Sequence, residues 1–255
     1  MRNGLRSPGA RADPELAALA RAYLAKRTKE PALIAAAVER RDFDAIHKIG
    51  HNLLGSGEMF GFAELSRIGA GLQRAADAHD AAGVDRLRRR MAHYLAQTVA
   101  PISQQAHTVA AGTRRRATAV RAPRRHEVLV VDDDEMNRIL ITHYLEKAGY
   151  TVAQCARGEE ALAALDAPRL PGLVLLDVVM PGRSGLDICR AIKADARTGS
   201  IPVVLLTALE KEEDRQRGME AGADDFVTKP VSRVDLLARV AELLPRAGTR
   251  IPSAS

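Results

Sequence analysis

VLVVDDDEMNR, residues 128–138, sets four aliphatic residues directly before three aspartates and the opening of a polar, helix-compatible segment. A short apolar run bounded this way reads as a strand buried on both faces, the kind found in parallel sheets. The pattern recurs down the chain: Thr151–Cys155, Leu173–Leu176, Val203–Leu206 and Asp225–Val227 read as further strands. Amphipathic segments near Asn137–Lys147, Glu159–Leu165, Leu186–Lys193, Lys211–Glu220 and Arg233–Leu244 read as the helices between and after them. Five strands and five helices in this alternation predict a doubly wound α/β domain with a five-stranded parallel sheet over residues 127–245. In such folds the ligand crevice lies beyond the carboxyl ends of the strands, so the residues that follow each apolar run are the candidates for chemistry.

Those residues are Asp132, Asp133 and Asp134 after the first strand, Asp177 after the third, Thr207 after the fourth, and Lys229-Pro230 after the fifth. Clustered carboxylates repel one another and need a compensating cation, and an all-oxygen ligand set with room for water suits Mg2+ better than zinc. A strand-end aspartate can then serve as a nucleophile toward a phosphoryl group whose oxygens a hydroxyl and an ammonium ligate. Each residue alone has an ordinary alternative: an aspartate before a helix is commonly an N-cap, Thr207 can cap a helix, and Lys229 can be a surface ammonium. Taken jointly, at the ends of successive strands, they point to one site.

VLVVDDDEMNR, LVLLDVVMPGRSGLD, VVLLTA and DDFVTKP together resemble the receiver domain of two-component response regulators, over about residues 126–245. The resemblance implies a flavodoxin-like fold with Asp177 as phosphoacceptor and Asp133 as a direct Mg2+ ligand. It makes Asp132 a second acidic partner and Val179 a ligand through its backbone carbonyl. Thr207 and Lys229 would bind phosphoryl oxygens, Phe226 would be the aromatic switch residue, and Ala208 the small residue that leaves the site accessible. It also implies a cis Lys229-Pro230 peptide.

The first half of the chain has a different grammar. From Pro14 to about Gln105 apolar residues recur every three or four positions with no strand-type run, which predicts a helical bundle with short connections. Leu16, Leu19, Tyr23 and Leu24 form one stripe, and Leu33, Ile34, Ala37 and Val38 a second. Asp42 is placed to cap a third helix that runs through His51 and ends near Gly55, Gly57 and Gly61. Later stripes carry Leu65, Ile68 and Leu72, then Val84, Leu87, Met91 and Leu95.

His47 and His51 lie one turn apart on that third helix, yet no carboxylate or cysteine stands at a spacing that completes a metal site. HNLLGSGEMFG, residues 51–61, resembles the phosphohistidine segment of histidine phosphotransfer (Hpt) domains. The resemblance covers about residues 14–104 and implies that His51 carries a phosphoryl group, with Gly55-Ser56 supporting it. Gly55, one turn on, has no side chain and is expected to leave the imidazole exposed for in-line approach. An unperturbed imidazole is partly neutral near pH 7 and needs no dedicated base. The family commonly has Lys three residues after the histidine, where this chain has Leu54; Lys48, three residues before it, is the candidate replacement.

Composition sets the outer bounds. The 255 residues are 46% hydrophobic and 27% charged, an ordinary globular balance for one or two domains. Two cysteines without ligand spacing argue against a disulfide framework or structural zinc, and a cytoplasmic location is expected. No apolar run reaches membrane-span length, and the first residues lack the apolar core of a signal peptide. The formal charge of +6 invites a nucleic-acid reading, but with no Trp, four Tyr and four Phe there is little stacking surface. The charge is also divided: residues 1–107 carry 16 basic and 11 acidic side chains, residues 108–126 six and none, and residues 127–255 16 and 21. A basic helical domain and an acidic α/β domain joined by an arginine-rich tether are suited to meeting partners of opposite sign.

The expected organisation is therefore a disordered N-terminus (1–13), an Hpt-like bundle (14–107), an Arg-rich flexible linker (108–126), a receiver domain (127–245) and a disordered tail (246–255). The expected function is phosphorelay signalling in which the receiver accepts a phosphoryl group on Asp177 with Mg2+ and the helical domain carries one on His51, relaying between His and Asp sites of two-component partners with exchange within one chain left open, as a phosphotransfer protein and not an enzyme, since no ATP-binding or output region is legible. Expected partners are a sensor histidine kinase or hybrid-kinase receiver and a downstream receiver or effector, with no membrane and no nucleic acid. Two other readings stay open at this level: a phosphorylation-switched regulator that contacts nucleic acid through the linker arginines, and a receiver joined to a helical docking domain that is not phosphorylated.

Overall fold

The computed structural model describes residues 14–105, 127–207 and 212–244. These fall into two compact units, one on each side of the arginine-rich stretch. The segments expected to be a disordered N-terminus, a linker and a tail lie outside the described residues.

The N-terminal unit is all helical: α1 (Pro14–Arg27), α2 (Glu30–Glu39), α3 (Phe43–Gly57), α4 (Ala63–Asp77) and α5 (Ala81–Gln105). Asp42 caps α3 as expected, its carboxylate accepting from the Ala45 N–H at 3.0 Å, and the helix ends at Gly57. Ile34, Ile46, Leu53, Leu65, Ile68 and Met91 form the dry interior. Leu33 departs from the expected second stripe and is 57% exposed. Glu30, Ile34 and Ala37 define the inward face of α2, and Leu33 is turned off it by one helical step. The backbones of α3 and α4 pass unusually close at two glycines. A Cβ on Gly69 would stand 2.5 Å from the Leu54 nitrogen and 2.6 Å from the Gly50 carbonyl oxygen.

A buried polar knot ties α1 and α2 to α3. The Tyr23 hydroxyl and the Arg27 guanidinium each lie 3.0 Å from Ser56 Oγ, and Arg27 pairs with Glu30 at 2.5 Å. Tyr23 stacks on Phe60 at 4.3 Å between ring centroids, with the Arg27 guanidinium over its ring. Burial pushes the Tyr23 phenol up to about 12, against the opposing pull of Arg27 and Ser56. Removing one partner of a buried ion pair strands the other, so Arg27→Ala should destabilise this unit by about 3–5 kcal/mol. Urea unfolding followed by circular dichroism measures it; Arg21→Ala, on the exposed side of α1, is the control and should change little.

The C-terminal unit alternates strand and helix throughout: β1 (Glu127–Val131), α6 (Glu135–Lys147), β2 (Thr151–Cys155), α7 (Gly158–Leu165), β3 (Leu173–Asp177), α8 (Gly185–Ala194), β4 (Val203–Thr207), α9 (Glu212–Glu220), β5 (Asp225–Thr228) and α10 (Arg233–Leu243). All neighbouring strands are parallel, in the order β2-β1-β3-β4-β5. Every residue of β3 and β4 is buried, which is why both read as unbroken aliphatic runs. The order reverses direction beside β1, so the carboxyl ends of β1 and β3 flank the switch point. No helix among the described residues is long and apolar enough to cross a membrane.

Candidate functional site

The sheet places Asp132 one residue past the end of β1 and Asp177 at the last position of β3, on adjacent strands. Carboxylate oxygens of Asp132, Asp133 and Asp177 all lie within 4.8 Å of one another. Asp132 and Asp177 are wholly buried and Asp133 is half-buried. Lys229, just beyond β5, bridges two of them, its Nζ 2.9 Å from Asp177 Oδ2 and 3.2 Å from Asp132 Oδ2. The peptide joining Lys229 to Pro230 is cis, and the Lys229 N–H donates to the Thr207 carbonyl at 2.6 Å.

These contacts set the charge balance. Burial pushes the Asp132 carboxyl above its ordinary range; Lys229 opposes this, while Asp177 and Asp134 add to it. Burial alone would pull the Lys229 ammonium down, but Asp132 and Asp177 outweigh it and hold it above the ordinary lysine range. The all-oxygen donor set and the crowding of three carboxylates fit a hard divalent cation such as Mg2+. Asp132, Asp133 and Asp177 are the side chains that would hold it.

The remaining expected residues are placed as follows. Thr207 closes β4, buried, in register with Thr228. Val179 is 41% exposed two residues past Asp177, and its N–H lies 3.4 Å from Asp177 Oδ1. Phe226 sits on β5 half-buried, with the Arg215 guanidinium 5.8 Å from its ring centroid. Ala208 lies outside the described residues. Gly185 opens α8 against the acceptor strand, and a Cβ there would fall 2.1 Å from the Asp177 carbonyl oxygen. Only glycine permits that approach.

Asp134, a strand-end candidate from the sequence, takes the helix-capping place, and sequence reasoning passed over two residues here, Asn137 and Arg138. Asp134 caps α6 through the Met136 N–H at 2.9 Å, and its own N–H donates to Asp132 Oδ1 at 2.8 Å. Arg138 Nη1 donates to the Asp132 carbonyl at 2.6 Å, and the Asn137 carboxamide donates to the Asp132 carboxylate. The signal was present in VLVVDDDEMNR: a helix starting straight after the aspartates must turn its first two turns back over the strand end.

The second candidate site departs from expectation. His51 is only 2% exposed, not open to approach. Gly50, Leu53, Gly55, Ser56 and Gly57 around it are all buried as well. The physical reason is that α3 is a central helix, packed against both α2 and α4, so the missing side chain at Gly55 does not open a path. The accessible imidazole is His47, whose Nε2 lies 3.5 Å from Asp77 Oδ1 and 3.5 Å from Gln73 Nε2. Lys48 is half-buried, and Ser56 serves the polar knot described above.

Residues 128–241 match the family model described as the response regulator receiver domain. Among curated relatives, the phosphate regulon transcriptional regulatory protein PhoB of Rhizobium meliloti is 40% identical over 127 residues, 50% of this chain and 56% of that protein. The response regulator PleD of Caulobacter vibrioides is 48% identical over 116 residues, 46% of this chain and 25% of that protein. The chain thus spans about half or less of the length of these relatives. A solved receiver domain of the Pseudomonas aeruginosa sensor histidine kinase PA1611, described with a magnesium ion coordinated in its active site cleft, is 28% identical. That match covers 46% of this chain and 96% of that one, with a TM-score of 0.43.

Proposed function

Starting from a response regulator receiver domain at residues 128–241, we propose that this chain is a phosphorelay component that accepts a phosphoryl group on Asp177 and carries one on His51 of the helical unit, relaying between His and Asp sites of two-component partners. The observation that carries the reading is the meeting of Asp132, Asp133 and Asp177 with Lys229 at the sheet's switch point.

The step is a phosphoryl transfer in which a carboxylate oxygen of Asp177 forms a bond to phosphorus as the bond to the donor's leaving atom breaks. The donor atom, an imidazole nitrogen or an acyl oxygen, leaves with its electron pair. Lys229, now 2.9 Å from Asp177 Oδ2, moves its charge to the phosphoryl oxygens, and the Thr207 hydroxyl supplies a further donor. Asp132, Asp133, Asp177 and the Val179 carbonyl would hold Mg2+, which would supply charge neutralisation for the incoming phosphoryl group. Ligation of Thr207 draws the end of β4 inward, and Phe226 on the neighbouring strand follows it, which changes the surface offered to an effector. Donors and recipients are two-component proteins, a histidine kinase or hybrid-kinase receiver on one side and a receiver or effector on the other. The chain acts as a carrier and not as a kinase.

The burial of His51 favours one second reading, in which the helical unit is a docking domain that is never phosphorylated. Incubating full-length wild type, His51→Gln and His47→Gln with a cognate-type histidine kinase and labelled ATP, then measuring acid-labile, base-stable label, separates the two. The relay requires that label in wild type and His47→Gln and its loss in His51→Gln. Equal label in wild type and His51→Gln excludes His51 as the carrier, and no base-stable label in any chain establishes the docking reading.

A further inference from the structure

Asn137 stands in the first turn of α6, 1% exposed, its Nδ2 donating to Asp132 Oδ2 at 3.2 Å and lying 3.5 Å from Oδ1. Turning the carboxamide over would set its oxygen against the Asp132 carboxylate, so the orientation is fixed by charge. The other end, Asn137 Oδ1, is then a buried acceptor with no hydrogen-bond partner among the described residues. A buried acceptor left unsatisfied costs about 1–3 kcal/mol, so its retention calls for a donor. The two ends of one carboxamide are neighbours, which puts this oxygen beside the carboxylate cluster. Of the described cations there, Lys229 is already shared between Asp132 and Asp177, and Arg138 Nη1 donates to the Asp132 carbonyl. The donor that suits such a place is water held by a hard cation, and Mg2+ keeps several of its waters when it binds protein carboxylates.

We propose that Asn137 is a positioning residue for the divalent-cation site: its Nδ2 fixes the Asp132 carboxylate, and its Oδ1 accepts a hydrogen bond from a water of the hydrated cation. This rests on the receiver reading given above. Residues in this outer role typically govern metal affinity by about 10–100-fold. Ca2+ sheds its waters more readily than Mg2+, so an outer-sphere acceptor matters more to Mg2+.

Calorimetric titration of the metal-free full chain with Mg2+ and separately with Ca2+ tests this in wild type, Asn137→Leu and Asp133→Asn, with thermal melts in chelator. Leu keeps the volume and lacks both polar ends. The expected result is Mg2+ affinity about 10–100-fold weaker in Asn137→Leu, a smaller loss for Ca2+, and a metal-free melting temperature close to wild type, since the lost bond to Asp132 and the removal of the unsatisfied Oδ1 oppose each other. Equal losses for both ions, or wild-type Mg2+ affinity in Asn137→Leu while Asp133→Asn abolishes binding, overturns the proposal and leaves the site intact. No Mg2+ binding by wild type overturns the site reading itself. Should Asn137→Leu melt well below wild type, Asn137→Ser, smaller and still polar, takes its place under the same criteria.

Discussion

Asp177→Asn abolishes phosphoryl uptake by the receiver from a small acyl phosphate in the presence of Mg2+, a fall on the order of 100-fold or more in initial rate followed by intact-mass spectrometry. The carboxylate is the proposed nucleophile, and an amide of the same shape has no anionic oxygen to attack phosphorus. Asp132, the other wholly buried carboxylate of the cluster, is committed to Lys229, Asn137 and the Asp134 N–H. The loss should not arise from unfolding. Asp177 is one of three carboxylates within 4.8 Å, so neutralising it relieves repulsion in the metal-free protein, although it also removes a partner of Lys229. The variant's melting temperature in chelator should therefore stay within a few degrees of wild type, and a folded variant that still takes up phosphate at the wild-type rate would remove Asp177 from the role.

Lys229→Met has the largest expected effect on stability in the α/β unit. The ammonium is 2% exposed and holds two fully buried carboxylates, so its removal leaves both uncompensated. Breaking such a buried pair costs about 3–5 kcal/mol. Mg2+ should restore much of it by supplying the missing positive charge, which denaturant melts with and without Mg2+ read directly. The dependence on pH follows from the same charges. Asp132 has a folded-state pKa above its unfolded one, so the folded unit binds more protons. Its contribution is fully present below the unfolded value of about 4 and is lost as pH rises through the folded value. Lys229 is raised too, but its contribution is lost only at alkaline pH, beyond its ordinary range. In metal-free wild type this site's contribution to stability should thus decline from about pH 4 toward neutrality, and the decline should steepen in Lys229→Met. Mg2+ should flatten both curves.

The α/β unit was legible because its determinants are local in sequence. A strand buried on both faces has to be apolar at every position, so Leu173–Leu176 and Val203–Leu206 announce themselves, and each run stops where the chain leaves the core. The residues at those stops are then brought together by the parallel topology, which is why Asp132, Asp177, Thr207 and Lys229 could be grouped before any distance was known. The helical unit was legible as a bundle but not in its particulars. Helical periodicity gives one face, and it cannot say that α3 is enclosed from more than one side, so the exposure of His51 was misjudged. The knot of Tyr23, Arg27, Glu30 and Ser56 joins residues up to 33 positions apart, and an Arg at the end of α1 reads as a surface charge until its partners are seen. Gly50 and Gly69 likewise carry no local mark of the close crossing that they permit. Asn137 was quoted within its motif yet assigned nothing, because its importance lies in the direction of a carboxamide and not in its spacing.

The proposed relay role of this chain rests on both Asp177 and His51 carrying phosphoryl groups. Its most direct test charges the full-length wild-type chain with a labelled small acyl phosphate and Mg2+, removes the donor, and follows base-labile aspartyl phosphate and base-stable phosphohistidine over time. The account predicts that base-stable label on His51 rises as aspartyl label on Asp177 falls. Decay of the aspartyl label to inorganic phosphate alone, with no base-stable label at any time, would contradict it.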